Sequence, residues 1–463
     1  MHSFEDTPAA RAPRVRLPVA AALALLIAFR VGAQGTVAAM PASNAPSSSS
    51  LDSLVGLALR ASPSIRAARD RIDAANARVG PAGARPDPML MAGIVNFPIS
   101  EPGFRDFMTM KMVGVSQTFP YPGKLSRRTD VAEQEVAAER ADADAARRRV
   151  VRDVRVAYYD LAFTIVALDI VRRTQGVVAG MIPVTEARYA AGSATQPDVL
   201  RIRVSTARLA DEGAALVEEQ RATLARLNAL LDRPSNADVA DAMIPPRIAR
   251  AAVADSARQI AFASSSLGAR VSGSPLLPLD TVEMLALANS PALRAADANI
   301  AAQGARVALA RREHLPDIGV SLQYGQRNNL SDMVTAIVSL PIPLQKRRNQ
   351  DAALIAASSE RRAMEAERAA TANTLRADVA RLHGALERDR TQLALYVKAM
   401  LPQARAALQS AAASYQSGRV DFATLVDTQS SLFTYETDYY RALTDFAKTL
   451  AELEEQTGTE VLR

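Results

Sequence analysis

Leu51–Val79 reads LDSLVGLALRASPSIRAARDRIDAANARV, and Leu279–Val307 reads LDTVEMLALANSPALRAADANIAAQGARV. The two stretches align without a gap and agree at 15 of their 29 positions. Alanine richness explains some of that agreement. It does not explain the shared Leu-Asp start, the Ser-Pro pair (Ser62-Pro63, Ser290-Pro291) and the Arg-Val end together. Each stretch therefore reads as the same unit, a helix broken and restarted at Ser-Pro, used twice.

The correspondence continues downstream. Pro86-Asp87 answers Pro316-Asp317, Thr118-Phe-Pro-Tyr-Pro122 answers Ser339-Leu-Pro-Ile-Pro343, and Tyr189-Ala-Ala-Gly192 answers Tyr415-Gln-Ser-Gly418. Helix, Pro-Asp, strand pair, Pro-x-Pro, long helix, Tyr-x-x-Gly and helix thus occur twice in order. A period of about 230 residues is too long for a solenoid unit. It predicts two equivalent halves, 51–234 and 279–458, joined by the Ser/Ala/Pro-rich segment 235–278, with a C-terminal tail at 459–463.

Lys124–Met181 and Gln345–Leu401 contain no proline. A continuous helix over either would run roughly 80–90 Å. Their apolar residues recur at threes and fours, as in Val150, Val154, Tyr158, Leu161, Ile165 and Leu168. The last helix is clearest: Phe422, Leu425, Gln429, Leu432, Glu436, Tyr439, Leu443, Phe446, Leu450 and Leu453 form a coiled-coil seam. Gln429 and Glu436 put polar groups into that seam, facing a lumen, a partner helix or solvent.

Between Pro-Asp and Pro-x-Pro the period changes to two. Ile318–Gly325 and Met333–Leu340 alternate, with the polar turn 327–332 between them. Met89–Phe97 and Met108–Phe119 hold the same places in the first half, with poorer alternation. Four strands cannot close a barrel, and an open sheet edge cannot face lipid. If these strands cross a membrane, several chains must share the barrel. No segment beyond the N-terminal region is apolar for the ~20 residues a membrane helix needs.

The formal net charge is +6. Basic and acidic residues alternate along Glu139–Arg155, which reads as solvated helix faces, and no nucleic-acid motif appears. There is no cysteine, so disulfides, thiol chemistry and a lipidated N-terminal Cys are excluded. His2, His314 and His383 are isolated, with no partner at metal-ligand spacing. No nucleophile–base pair or phosphate loop rises above background, so no enzyme and no cofactor are expected. Arg11, Arg14 and Arg16 precede the apolar run Leu17–Phe29 and the small-residue site Val31-Gly32-Ala33. This predicts a signal peptide over 1–33 and a flexible lead-in over 34–50.

The order of parts resembles the TolC family of outer-membrane efflux proteins across Leu51–Gly458. The residues that carry it are the Ser-Pro helix starts, Gln117-Thr-Phe-Pro-Tyr-Pro-Gly-Lys124, both Tyr-x-x-Gly turns and Ala225-Arg-Leu-Asn-Ala-Leu-Leu231. The resemblance implies a mainly α chain whose long hairpins build a periplasmic α-barrel. Its four strands would join a trimeric outer-membrane β-barrel. It also implies a homotrimer in outer-membrane lipid, working with a periplasmic adaptor and an inner-membrane pump, and no catalysis. The family's tunnels close near the Tyr-x-x-Gly turns. By that resemblance Asp198 matches a constriction Asp, Thr424 and Asp427 occupy two further Asp positions, and Tyr415 matches a lock Tyr. Val420 stands where the lock Arg would be, and one acidic ring is missing at Thr424. Gly192 and Gly418 supply the backbone freedom of helix-ending turns.

Met89, Met91, Met108, Met110 and Met112 dot the first strand pair. Thioether sulfur suits Cu(I), and the pattern resembles the Cus/Czc-type heavy-metal branch. Methionine is also an apolar filler that could face lipid. The rival to a conduit is a periplasmic coiled-coil scaffold without a pore.

Overall fold

The computed structural model describes residues 50–99, 106–254, 275–328 and 330–462. The expected signal peptide, the lead-in up to residue 49 and part of the inter-repeat segment lie outside them. Both copies of the repeat adopt the same order of elements. The first half runs α1 (Leu51–Ala61), α2 (Pro63–Gly83), β1 (Met89–Val95), β2 (Met110–Phe119), α3 (Lys124–Ala190) and α4 (Gln196–Leu230). After the short α5 (Pro246–Val253), the second half runs α6 (Leu279–Asn289), α7 (Pro291–Arg312), β3 (Ile318–Arg327), β4 (Met333–Ser339), α8 (Ala352–Leu395), α9 (Leu401–Gln416) and α10 (Phe422–Thr457). Ser62 ends α1 and precedes Pro63 at the start of α2; Ser290 and Pro291 do the same between α6 and α7. Proline at the first helical position loses no hydrogen bond, so the pair restarts a helix in a new direction.

The long helices exceed the expected span. α3 has 67 residues and continues through Pro183 to Ala190, about 100 Å at 1.5 Å per residue. In the second half α8 and α9 join through a π-helical turn, Tyr396–Met400. It lies just before Pro402, whose ring would otherwise press on the preceding turn and whose missing N–H leaves a carbonyl unpaired. α2 and α7 both pack along α3, α3 and α4 form one hairpin, and α9 and α10 form the other. The predicted seam of α10 is real: Phe422, Leu425, Gln429, Leu443, Phe446, Leu450 and Leu453 are buried. Glu436 is paired with Arg405 at 2.9 Å. The charged stretch Glu139–Arg155 is less solvated than expected, because Arg152 and Arg155 reach the end of α10 and pair with Glu455 at 2.8 Å and Glu454 at 2.6 Å. The main core gathers α1, the middle of α3, α8 and the end of α10 around Val154, Leu386 and Phe446. The C-terminal residues join it: Val461 is fully buried and Leu462 bridges Leu276.

The strands form one antiparallel sheet in the order β1-β2-β3-β4. β1 stops at Val95 and β2 starts at Met110, inside the expected ranges. Asn96 turns to φ +55° and its carbonyl accepts from the Thr109 hydroxyl at 3.0 Å, so the chain is already turning there. Strand partners share a face. Val113 pairs with Ala92 and Tyr324, and Val115 pairs with Leu90 and Leu322. That face carries Leu90, Ile94, Val113, Val115, Val320, Leu322, Tyr324, Val334 and Val338, all exposed. The opposite face carries Ser116, Ser321, Gln323 and Thr335, with four glycines, the methionines, Val95 and Ile337.

The motif Gln117–Lys124 welds sheet to helix. Gly123 takes φ +89° and turns the chain from β2 into α3. The buried Lys124 ammonium lies 2.7 Å from Asp317, which also accepts from the Tyr121 N–H at 2.9 Å. One carboxylate of the second half thus holds the strand–helix corner of the first. Burial pushes the Asp317 carboxyl up, but the bonds from Lys124 and Tyr121 outweigh it and hold the group below the usual carboxylate range. Asp317→Ala should cost about 2 kcal/mol, because it leaves a buried ammonium unpaired. Far-UV circular dichroism on heating would show the earlier transition. The bond's contribution is complete above the unfolded carboxyl pKa and fades as pH falls through the lowered folded value. The difference between variant and parent should therefore shrink in acid.

Candidate functional site

The far ends of the two hairpins hold the residues that the family resemblance singles out. α3 ends with Gly192 at φ +71° and α9 with Gly418 at φ +74°. Ser193 N–H donates to the Arg188 carbonyl at 2.8 Å and Gly192 N–H to that of Tyr189 at 3.0 Å. Arg419 N–H donates to Ser414 at 2.9 Å and Gly418 N–H to Tyr415 at 3.0 Å. Both ends are the same Schellman cap, which needs a left-handed residue after the helix. This is why glycine recurs in both turns.

Each turn feeds a capped helix start, and here the halves differ. In α4 the Asp198 carboxylate accepts from the Thr195 N–H at 2.9 Å and the Thr195 hydroxyl at 2.8 Å. In α10 the acid is the cap: Asp421 accepts from the N–H of Thr424 at 3.0 Å and from its hydroxyl. Hydroxyl and carboxylate have exchanged places. The acid that is missing at Thr424 is three residues earlier, at Asp421. The hydroxyl and N–H of Thr424 hold the Asp421 carboxyl below its usual range. Comparing Thr195-Gln-Pro-Asp198 with Asp421-Phe-Ala-Thr424 shows the exchange in the sequence itself.

Tyr415 is buried within its own chain, in a cluster with Val178, Ile202, Leu209, Phe422 and Leu425. Its ring lies 5.6 Å from Phe422. Its hydroxyl is buried without a hydrogen-bond partner among the described residues. Val420, which stands where the family has an arginine, packs on the same cluster. The arginine of this tip comes from the other hairpin. The Arg188 guanidinium sits 4.4 Å over the Tyr415 ring and donates to the Tyr415 carbonyl. Sequence reasoning missed Arg188, since nothing in its spacing marks it; only the packing of the two turns brings it to Tyr415. Tyr189, the equivalent of Tyr415, is exposed.

Asp427 lies two turns into α10, exposed, on the ridge between two grooves. One groove, lined with Gln403, Thr424, Thr428 and Ser431, separates it from α9; the other, lined with Arg201, Arg208 and Glu212, separates it from α4. Asp198, Thr424 and Asp427 thus share one end of the bundle, with Tyr415 buried beneath them. Of the methionines, Met89, Met91, Met110 and Met112 lie on the polar face of the sheet, opposite the apolar one. Met108 sits in the turn beyond the strands, its N–H bound to Asp106 at 3.0 Å. His314 and His383 have local partners, Asp351 at 2.8 Å and the Leu277 carbonyl at 3.0 Å.

The sequence profile of the outer membrane efflux protein family matches residues 54–233 and 284–459. Each matched stretch covers one copy of the repeat. The chain belongs to the outer membrane efflux protein family. Solved structures share its fold. The outer-membrane channel OprN superposes with a TM-score of 0.71 at 18% identity, over 88% of this chain and 89% of that one. CusC gives 0.71 at 16% identity, over 88% and 91%. A membrane protein from Pseudomonas aeruginosa gives 0.71 at 22% identity, over 88% and 92%. No curated protein matches by sequence. As an outer membrane efflux protein, the chain is a channel component of an efflux system, a passive duct rather than an enzyme.

Two outcomes are expected at the tips. Arg188→Ala removes a cation–π contact and a charged hydrogen bond, together about 2 kcal/mol. If this contact holds the tip closed, single-channel recordings in planar bilayers should show more frequent and larger openings; unchanged conductance would deny Arg188 a part in closing the tip. Asp427→Asn should lower cation-over-anion selectivity in the same recordings, measured as a shift in reversal potential across a salt gradient.

Proposed function

We propose that three copies of this chain close their sheets into one barrel in the outer membrane and gather their long hairpins into a periplasmic tunnel. A periplasmic adaptor joins this duct to an inner-membrane pump, which supplies the energy. One observation carries this reading: the sheet has an apolar, exposed face and a polar face, with free backbone edges at β1 and β4. Such a sheet is stable in hydrocarbon only if its edges pair with another copy and its apolar face meets lipid. β2 and β3, ten residues each, have the length of a membrane-crossing strand. Lys111 pairs with Gln326 at one end of the apolar face and Gln117 with Val320 at the other. Polar groups therefore bracket the band, as they do where strands leave a membrane. A pore-less scaffold has no use for an exposed apolar sheet face.

With the polar face inward, the tips close the opposite end of the duct, and the carboxylates of Asp427 and Asp421 from three copies favour cations there. The cargo that this interior suits is metal ions rather than drugs, because the barrel face carries thioethers and no aromatic side chain among the described strand residues. The duct is tested through its edges. The chain has no cysteine, so single cysteines placed in β1 and β4 report only on each other. Oxidation in outer-membrane fractions should give covalent species that stop at three copies, and unheated samples should migrate faster on gels than heated ones. A protein found only in the soluble periplasmic fraction would overturn the reading.

A further inference from the structure

On the polar face of the sheet three thioethers gather over one glycine. The registers place Gly93, Met112, Gly325 and Met333 on a single rung across β1, β2, β3 and β4. Met112 and Met333 thus flank Gly325, at cross-strand spacings of roughly 4.5–5.5 Å between Cβ positions. Met110 lies two residues before Met112 and shares its face. A Cβ built on Gly325 would lie 3.3 Å from the Met110 sulfur, so that sulfur fills the space where a side chain would stand. Gly325 is the one buried position in β3.

The surroundings narrow what this patch can take. The neighbouring rung carries Gln323 and Thr335, polar groups that offer an apolar molecule little. On this face the cation Arg327 is turned away toward the outer turn by bonds to the Ser331 carbonyl at 2.9 and 2.7 Å. Thioether sulfur is a soft, neutral ligand that selects Cu(I) and similar ions. Neutral ligands also hold a passing ion weakly enough to release it, as conduction requires. The rung lies at the end of the sheet away from the long helices, close to the turn between β3 and β4.

We propose that Met110, Met112 and Met333 form a soft-cation site around Gly325, the last station for Cu(I) or Ag(I) cargo before it leaves the barrel. The proposal rests on the duct reading, which puts this face inward. The test is Ag(I) titration of the full-length chain in detergent by calorimetry, with planar-bilayer conductance recorded on the same preparations. The parent should bind Ag(I) saturably. Met112→Leu combined with Met333→Leu, which keeps volume, should weaken binding by about tenfold or more. Gly325→Val, which keeps every methionine but displaces the Met110 sulfur, should weaken it too. Met89→Leu, on the same face but two same-face rungs away, should not. Conductance should survive in all variants, which separates loss of the site from loss of the barrel. Equal Ag(I) affinity in the parent and the double variant would overturn the site, whatever the conductance. Absent conductance in the parent would overturn the duct and leave the binding comparison to judge the site alone.

Discussion

Backbone hydrogen bonding governs this molecule more than any side-chain contact. Among the described residues, β1 and β4 each present an unpaired edge of N–H and C=O groups on a sheet with one apolar face. In water such an edge invites aggregation; in hydrocarbon each unpaired group costs several kcal/mol. In the proposed assembly, pairing with further copies satisfies both rows, and closing the sheet would constrain the rest of the chain. The first strand pair hands over to a helix at a fixed corner, held by Lys124 and Asp317. The corner sets the direction of the long helices, the helices carry the tips about 100 Å from the strands, and in the proposed barrel closure at one end would bring the tips together at the other.

Much of this was legible in the sequence because it is local or periodic. The Ser-Pro restarts, the seam of α10 and the Tyr-x-x-Gly caps each depend on residues a few positions apart, and the repeat doubles every such signal. β3 and β4 read clearly, since apolar residues alternate with Ser, Gln, Thr and Gly. β1 and β2 read poorly for a reason the register supplies. Methionine and glycine occupy most positions of the face opposite the apolar one, so hydropathy hardly distinguishes one face from the other. Which way the methionines point was therefore hidden until the pairing of Met112 with Gly93 and Gly325 assigned the face. The same limit applies at the tips. Arg188 and Tyr415 are 227 positions apart, and no spacing rule connects them. The ion pairs of Arg152 and Arg155 with Glu455 and Glu454 are equally long-range, which is why that stretch read as a plain solvated surface.

The two halves share a scaffold but not a chemistry. Tyr189 is exposed where Tyr415 is buried. One half supplies Arg188 and the other supplies the ring it covers. One half supplies Asp317 and the other the ammonium it holds. In the second half Gln345 and Ser414 stand where the first has Lys124 and Arg188, so the repeat does not supply either cation twice. The duplicated frame gives each tip and each corner a twin, and the small differences between the twins are where the halves are fastened to each other.

The exchanged caps of α4 and α10 carry a consequence for how such a chain diverges after duplication. Thr-x-x-Asp and Asp-x-x-Thr satisfy the same backbone groups, yet neither becomes the other by a single substitution. The paths between them pass through Thr-x-x-Thr or Asp-x-x-Asp. Either intermediate still has an oxygen to cap the helix, so the cost stays near 1 kcal/mol or less, small against the stability of a packed bundle. Such a step meets little opposition, and it shifts a negative charge by three residues, most of a helical turn. Ancestry recorded as a swapped pair is invisible to position-by-position identity, though it leaves the hydrogen bonding intact and redraws the electrostatics of the tip.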